Sequence, residues 1–167
     1  MAISTEEIRE LRERTGAGIM DVKRALEAAD GDQKKAEAAL RLKGLSKAAG
    51  KGDRSTTEGL VDSYIHGGGR IGALVELNCE TDFVARTPEF AELAHNIAMQ
   101  VAAMGAIYVA KEDMPADELR SPEEVCLLNQ QFIKESSKSI EDLIMDVRAR
   151  VGENIKISRF IRFGLGG

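Results

Sequence analysis

Tryptophan is absent from this 167-residue chain, which holds only five phenylalanines, two tyrosines, three prolines, two cysteines and two histidines. With so few rings, alanine and aliphatic side chains have to build most of the core. Cys79 and Cys126 lie far apart and make neither a CxxC pair nor a zinc-like spacing with His66 and His95. Reduced, buried thiols are therefore expected, with no metal site and no resident cofactor. There is no uncharged apolar run long enough to cross a bilayer, and the first residues lack the apolar region of a signal peptide. A soluble, cytoplasmic protein without a membrane partner is expected.

Net charge is −5, unevenly spread: residues 1–54 hold 12 basic and 10 acidic side chains, and residues 55–167 hold 11 and 18. A general nucleic-acid binder is more often basic overall, so direct contact with nucleic acid is not expected.

Several helix signals stand near the start. Ser4 with Glu7 fits a capping box, and Ile8 and Leu11 give the short helix behind it an apolar edge that ends at the TGAG turn, residues 15–18. A second helix starts near Ile19, with Val22, Ala25, Leu26 and Ala29 facing inward and Gly31 as terminator. Asp32 caps a third, carrying Ala36, Ala39 and Leu40 and stopping before Gly44. Lys47 to Ser55 is rich in glycine and charge and reads as a linker, or as a helix fraying into one. The spacing thus predicts a three-helix bundle with its linker over residues 1–54 and a second domain over 55–167.

That second domain reads as α+β. Leu60–His66 and Ile71–Glu80 flank three glycines, Gly67 to Gly69, as two strands of a hairpin. In the second strand Ile71, Ala73, Val75, Leu77 and Cys79 share one side. Thr87 and Pro88 open a helix with Phe90, Ala94, Ile97, Ala98 and Val101 at helical spacing, ending near Gly105. Ile107–Met114 is ambiguous and admits a short extended piece. Ser121, Pro122 and Glu124 start another helix, backed by Val125, Leu128 and Phe132. Ser139 starts the next, lined by Ile140, Leu143, Ile144 and Val147 and ended by Gly152. Ile155, Ile157, Arg159, Ile161 and Phe163 then alternate as a closing strand, placed beside the hairpin in a three-stranded antiparallel sheet with helices on one face.

Candidate chemistry is sparse. TGAG has no preceding strand and no Lys-Ser/Thr ending, and Gly67–Gly69 has no phosphate-binding lysine in place, so both read as turns and no nucleotide site is expected. Cys79 shares the apolar strand face, which makes it a structural thiol and not a nucleophile activated by His66 or His95. Glu80 and Asp82 supply too few ligands for a dedicated metal. The bases Lys43, Lys47, Lys51 and Arg54 have no interleaved aromatic to stack bases, so they read as a solubilising charge.

Two features remain. Thr81–Arg86 is a short connector containing Phe83, which tucks under the following helix or points outward. Spacing alone favours burial, although Asp82 beside it opposes complete burial. Met20 falls opposite the buried side of its helix and is expected to be exposed, with Ile19 at the edge and Arg12 and Lys23 near it. By spacing alone it is an ordinary surface methionine.

LRERTGAGIMDVKRALEAADGD near the start, VELNCETDFVA in the middle and VGENIKISRF near the end together resemble the translation elongation factor Ts family, in order and across nearly the whole chain. The resemblance implies a ubiquitin-associated-like N-terminal bundle and an α+β core domain. It also implies guanine nucleotide exchange on elongation factor Tu, in GDP-bound and nucleotide-free forms. On that basis Thr81, Asp82, Phe83 and Val84 match the motif that disturbs the partner's Mg²⁺ site, with Phe83 as a presented wedge and Asp82 fixing the loop. Arg12, Ile19, Met20 and Lys23 match the docking region for the partner's G domain. The chain leaves no room for the second core subdomain and helical hairpin of longer members, so it resembles the short form, for which homodimerisation is implied. Such a factor is a regulator and not an enzyme. Two rival classes are a bundle that binds some other protein and an RNA-associated protein using the basic linker; neither accounts for the Phe83 connector and the N-terminal patch together.

Overall fold

The computed structural model describes residues 3–50 and 52–166, so Lys51 lies outside it. Ser4 Oγ accepts the Glu7 amide while Glu7 accepts the Ser4 amide, and this reciprocal cap starts α1 (Thr5–Thr15). Gly16, at φ 66°, turns the chain out of it. Helix α2 (Ile19–Ala28) closes through Asp30 and Gly31, both at positive φ, and Asp32 caps α3 (Gln33–Ala49) by accepting the amides of Lys34 and Lys35. Leu11, Val22, Leu26, Ala36 and Leu40 form an apolar cluster of their own.

Helix α3 corrects one expectation, for it runs through Gly44 to Ala49 instead of stopping before it. The reason is a helix crossing: a Cβ on Gly44 would stand 2.9 Å from the Cβ of Ala149 on α7 (Ile140–Val151). Glycine here permits close approach. Arg41 and Asp146 pair at 3.1 Å across the same crossing.

The fold is α+β, as the sequence predicts. Strands β1 (Glu58–Ile65) and β2 (Ile71–Cys79) form the hairpin, turning at Gly68 and Gly69 with φ 83° and 68°. Strand β5 (Ile155–Gly164) pairs with the other edge of β2, so the antiparallel order is β1-β2-β5. Ala73, Val75, Leu77, Cys79, Ile155 and Ile157 are buried in one cluster with α5 (Pro88–Met104) and α7. Thr87 caps α5 through the Phe90 amide and Gly105 ends it at φ 60°, and its five sequence-assigned inward residues are all buried.

The closing strand does not alternate evenly. Pairing passes from Leu77–Ile157 to Glu76–Arg159, leaving Ser158 as an extra residue at a bulge. Beyond it Phe160 packs on the helix side, whereas Ile161 and Phe163 face outward, opposite to Ile155 and Ile157.

A second correction concerns the helix expected from Ser121 to Phe132. It lasts one turn, α6 (Pro122–Val125), because the 107–109 segment takes its backbone groups: Val125 O accepts the amides of Ile107 and Tyr108, and the Leu127 amide donates to Tyr108 O. The ambiguous 107–114 segment therefore contains an extended piece, bridged to Cys126, followed by a 3-10 turn at Lys111–Asp113. Phe132 instead belongs to β3 (Gln131–Phe132), paired with β4 (Glu135–Ser139). Buried Gln100 holds this hairpin on α5, donating to Gln131 O and accepting the Ile133 amide, both at 3.0 Å.

Two aromatics seven residues apart make opposite demands on stability, since Phe90 is fully buried and Phe83 is 82% exposed. Phe90→Ala should cost about 3–5 kcal/mol, and Phe83→Ala should stay within about 0.5 kcal/mol of the parent, as surface changes do. Urea unfolding of the two variants checks both values.

Candidate functional site

At the end of β2 the chain must leave the sheet and, within eight residues, begin α5. It does so through a one-turn helix, α4 (Asp82–Ala85), where the sequence suggested an irregular connector. Thr81 caps it, its Oγ accepting the Val84 amide at 3.4 Å, and Val84 drops its side chain into the core. One turn of helix cannot bury two consecutive positions, so with Val84 inward Phe83 points out. The burial that spacing alone favoured does not occur. Asp82, half exposed, forms an ion pair with Arg86 at 2.9 Å that spans the turn. Of the four motif residues, Asp82 and Phe83 thus face solvent while Thr81 and Val84 hold the turn to the body.

The support beneath Phe83 is polar and dense. Glu153, just after α7, accepts the amides of Glu80 and Thr81 at 3.1 and 3.0 Å and the Thr81 hydroxyl at 2.6 Å. In return Glu80 accepts the Asn154 amide at 2.6 Å and pairs with Arg54 at 3.4 Å. Fully buried Asn154 donates its side-chain amide to Gly52 O and Arg54 O, tying the linker into the same junction. Composition and spacing gave no role to Glu153 or Asn154; the only signal was their place in the VGEN run.

Cys79 completes the base of the turn. Its thiol is buried and donates to Thr81 O at 3.1 Å. Burial, and then the nearby Glu153 charge, push its pKa upward, so it stays a thiol and is a poor nucleophile. The histidines are engaged elsewhere, His66 with Tyr64 and His95 with Asp62. Cys126 is buried too, and both cysteines are free. Among the described residues no three metal-binding side chains gather, and no helix is long and apolar enough to cross a membrane.

A second exposed apolar group lies on the bundle. Val22 and Leu26 point into its core, which leaves Met20 62% exposed and Ile19 56% exposed, with Arg12 and Lys23 also at the surface. Of the bases that read as a solubilising charge, Lys51 lies outside the described residues and Arg54 pairs with Glu80. Lys43 and Lys47 lie on α3 and reach Asp21 of α2 at 2.8 and 3.4 Å. With Arg24 these contacts hold the Asp21 carboxyl well below the usual carboxylate range, Lys43 contributing most.

The family model described as Elongation factor TS matches residues 50–124, a span that holds the hairpin, the Phe83 turn and α5. Elongation factor Ts of Carboxydothermus hydrogenoformans is 48% identical over 194 aligned residues, covering 98% of this chain and 89% of the relative. That of Syntrophomonas wolfei is 47% identical, covering 98% and 91%. The Thermotoga maritima protein is 45% identical, covering 99% of this chain and 98% of its own length. These aligned spans of 194 positions exceed the 167 residues here, so the relatives carry residues without a counterpart in this chain. Because the likeness takes in the N-terminal helices, the Phe83 turn and the closing strand alike, the chain belongs to the elongation factor Ts family.

Proposed function

We propose that this protein is a guanine nucleotide exchange factor in translation elongation, acting in the cytoplasm on elongation factor Tu. It binds the GDP-bound partner and remains bound to the nucleotide-free form until GTP enters. The observation that carries this reading is an aromatic ring 82% exposed on a turn whose base is fastened on three sides. A ring on a firm mount enters a neighbouring surface without first having to be ordered.

The wedge acts on charge. Mg²⁺ neutralises the phosphates of a bound nucleotide, so shifting the groups around that ion weakens a large electrostatic attraction and loosens GDP. Phe83 is the inserting group, Asp82 steadies the turn through Arg86, and Thr81 and Val84 keep it seated. The bundle, residues 1–54, anchors on the G domain through Arg12, Ile19, Met20 and Lys23, while the domain of residues 55–167 delivers the wedge. Coupling is reciprocal: a factor that weakens GDP is itself weakened by GDP to the same degree. The complex is therefore transient, either nucleotide expels the factor, and this chain makes and breaks no covalent bond. The Mg²⁺ belongs to the partner, and this chain brings no cofactor or metal of its own and touches no membrane or nucleic acid in the mechanism.

The partner of the outer sheet face is a second copy of this chain. Among the described residues helices cover the inner side only, and Val61, Ile65, Leu74, Ile161 and Phe163 line the outer side, each at least 46% exposed. Glu76 and Arg159 in their midst pair with each other at 2.7 Å, so two copies meet there without net repulsion. Face-to-face packing is the arrangement by which two such sheets bury apolar outer faces, and a two-fold axis makes it self-complementary. Light scattering should give twice the chain mass at micromolar concentration, and Leu74→Lys with Ile161→Lys should give the single mass. A monomeric parent protein would remove the dimer from this reading.

Release of a fluorescent GDP analogue from elongation factor Tu tests the activity. The parent protein should accelerate it strongly, and Phe83→Ala should lose about 2 kcal/mol or more of that effect, roughly 30-fold in rate. Acceleration untouched by the substitution would move the mechanism away from Phe83, and no acceleration at all would reject the exchange function. Met20→Asp should weaken complex formation by about 1–3 kcal/mol. Calorimetric titration that finds parent affinity would place Met20 outside the interface.

A further inference from the structure

We propose that Glu153 is a positioning residue for exchange, holding the Phe83 turn in its inserting orientation across 72 residues of sequence separation. The inference rests on the wedge reading above and adds to it a residue outside the TDFV motif. Its basis is the direction of the hydrogen bonds. An ionised carboxylate only accepts, so the Thr81 hydroxyl, 2.6 Å from Glu153 Oε1, has to spend its single proton there. That leaves a lone pair of the same oxygen for the Val84 amide, the bond that begins α4.

Glu153 thereby sets the polarity of the cap as well as its place. Its other oxygen takes the amides of Glu80 and Thr81, two donors that the end of β2 would otherwise leave without a strand partner. Since α4 is a single turn, the direction of Phe83 follows from where that turn starts. Removing the carboxylate releases two backbone donors and the cap hydroxyl together, and the ring loses its fixed heading while the apolar core below remains.

The location of Glu153 adds a reason for its choice. It stands immediately after Gly152, which ends α7 at φ 77°, and α7 is the helix against which Gly44 and Arg41 of α3 pack. Its carboxylate is thus referenced to the same helix as the bundle. Two partner-facing parts of the chain share one support.

The experiment pairs a measurement on the free protein with one on exchange. Amide hydrogen exchange of Thr81 and Val84 is measured in the parent protein, Glu153→Ala, Glu153→Gln, Thr81→Val and Thr81→Ser. GDP release from elongation factor Tu is then measured for the same set, and for Phe83→Ala with and without Glu153→Ala. Glu153→Ala should lower protection of both amides at least tenfold and lower the saturating release rate at least tenfold, with the half-saturating concentration changed less than threefold. Glu153→Gln keeps an acceptor for the two amides and should restore at least half of the lost rate on a logarithmic scale. Thr81→Ser keeps the cap hydroxyl and should hold Val84 protection within threefold of the parent, whereas Thr81→Val should lose it even if Glu153→Ala does not fold. In the Phe83→Ala background Glu153→Ala should change the rate less than twofold.

Unchanged amide protection in the folded variants would overturn the clamp, whatever exchange does. Lost protection with a parent-like rate, while Phe83→Ala alone is slow, would overturn the positioning role. An equal loss with and without Phe83 would overturn it as well. A parent-like rate in Phe83→Ala would instead locate the failure in the wedge reading, and the protection data would then decide the clamp by themselves.

Discussion

The seat of α5 on the sheet is the constraint from which the rest follows. In a chain so poor in aromatics, Ala94, Ala98 and Ala102 let this helix lie close over Val75 and Leu77, and Phe90 fills the space at its start. Both ends of the passage from β2 to α5 are then fixed, at buried Cys79 and buried Phe90. The chain between them has room for a single helical turn and for one inward side chain, which is Val84. An outward Phe83 is the remainder of that packing problem, and its exposure needs no separate cause. What function adds is the residue type, since a polar side chain would have met the same geometry at lower solvation cost.

The polar junction solves a related difficulty. A strand that ends against a helix leaves backbone donors facing inward, and in many folds water or another strand takes them. Here Glu153 and Asn154, contributed by the far end of the chain, take or supply those bonds and also hold the linker carbonyls at Gly52 and Arg54. Three segments distant in sequence are closed into one structure by acceptor and donor matching. The bundle has its own small core, yet it is joined to the larger one by a helix crossing at which Gly44 lies close against Ala149. Apolar contact, close backbone approach and directed hydrogen bonds therefore divide the labour among core, crossing and junction.

Legibility in the sequence followed the physics of each element. The capping box at Ser4, the helix start at Ser139, the turn at residues 15–18, the glycine ends at Gly105 and Gly152, and the one-sided pattern of β2 are local signals, and the structure has each of them. The errors arose where a long-range partner outbid the local rule. Gly44 resembles a helix stop until Ala149 is beside it, and the run after Pro122 resembles a helix until residues 107–109 bond the Val125 carbonyl and the Leu127 and Leu128 amides. Strand β4, ESSKS, has no apolar alternation to betray it. The TDFV turn was legible as a special place, but its helical form depended on a hydroxyl cap oriented from Glu153, which no spacing rule reports.

Ser158 is the one residue of β5 without a partner across the strand, and it acts as a frame shift written in protein. Before it, every second side chain belongs to the core; after it, the assignment inverts, so one strand serves the interior with Ile155 and Ile157 and the outer surface with Ile161 and Phe163. Pairing Ser158 into the ladder opposite Glu76 would be no local smoothing. It would turn the final six positions inside out, sending Ile161 and Phe163 toward the helices and Phe160 to the surface, and the sheet would exchange its two faces at one end only.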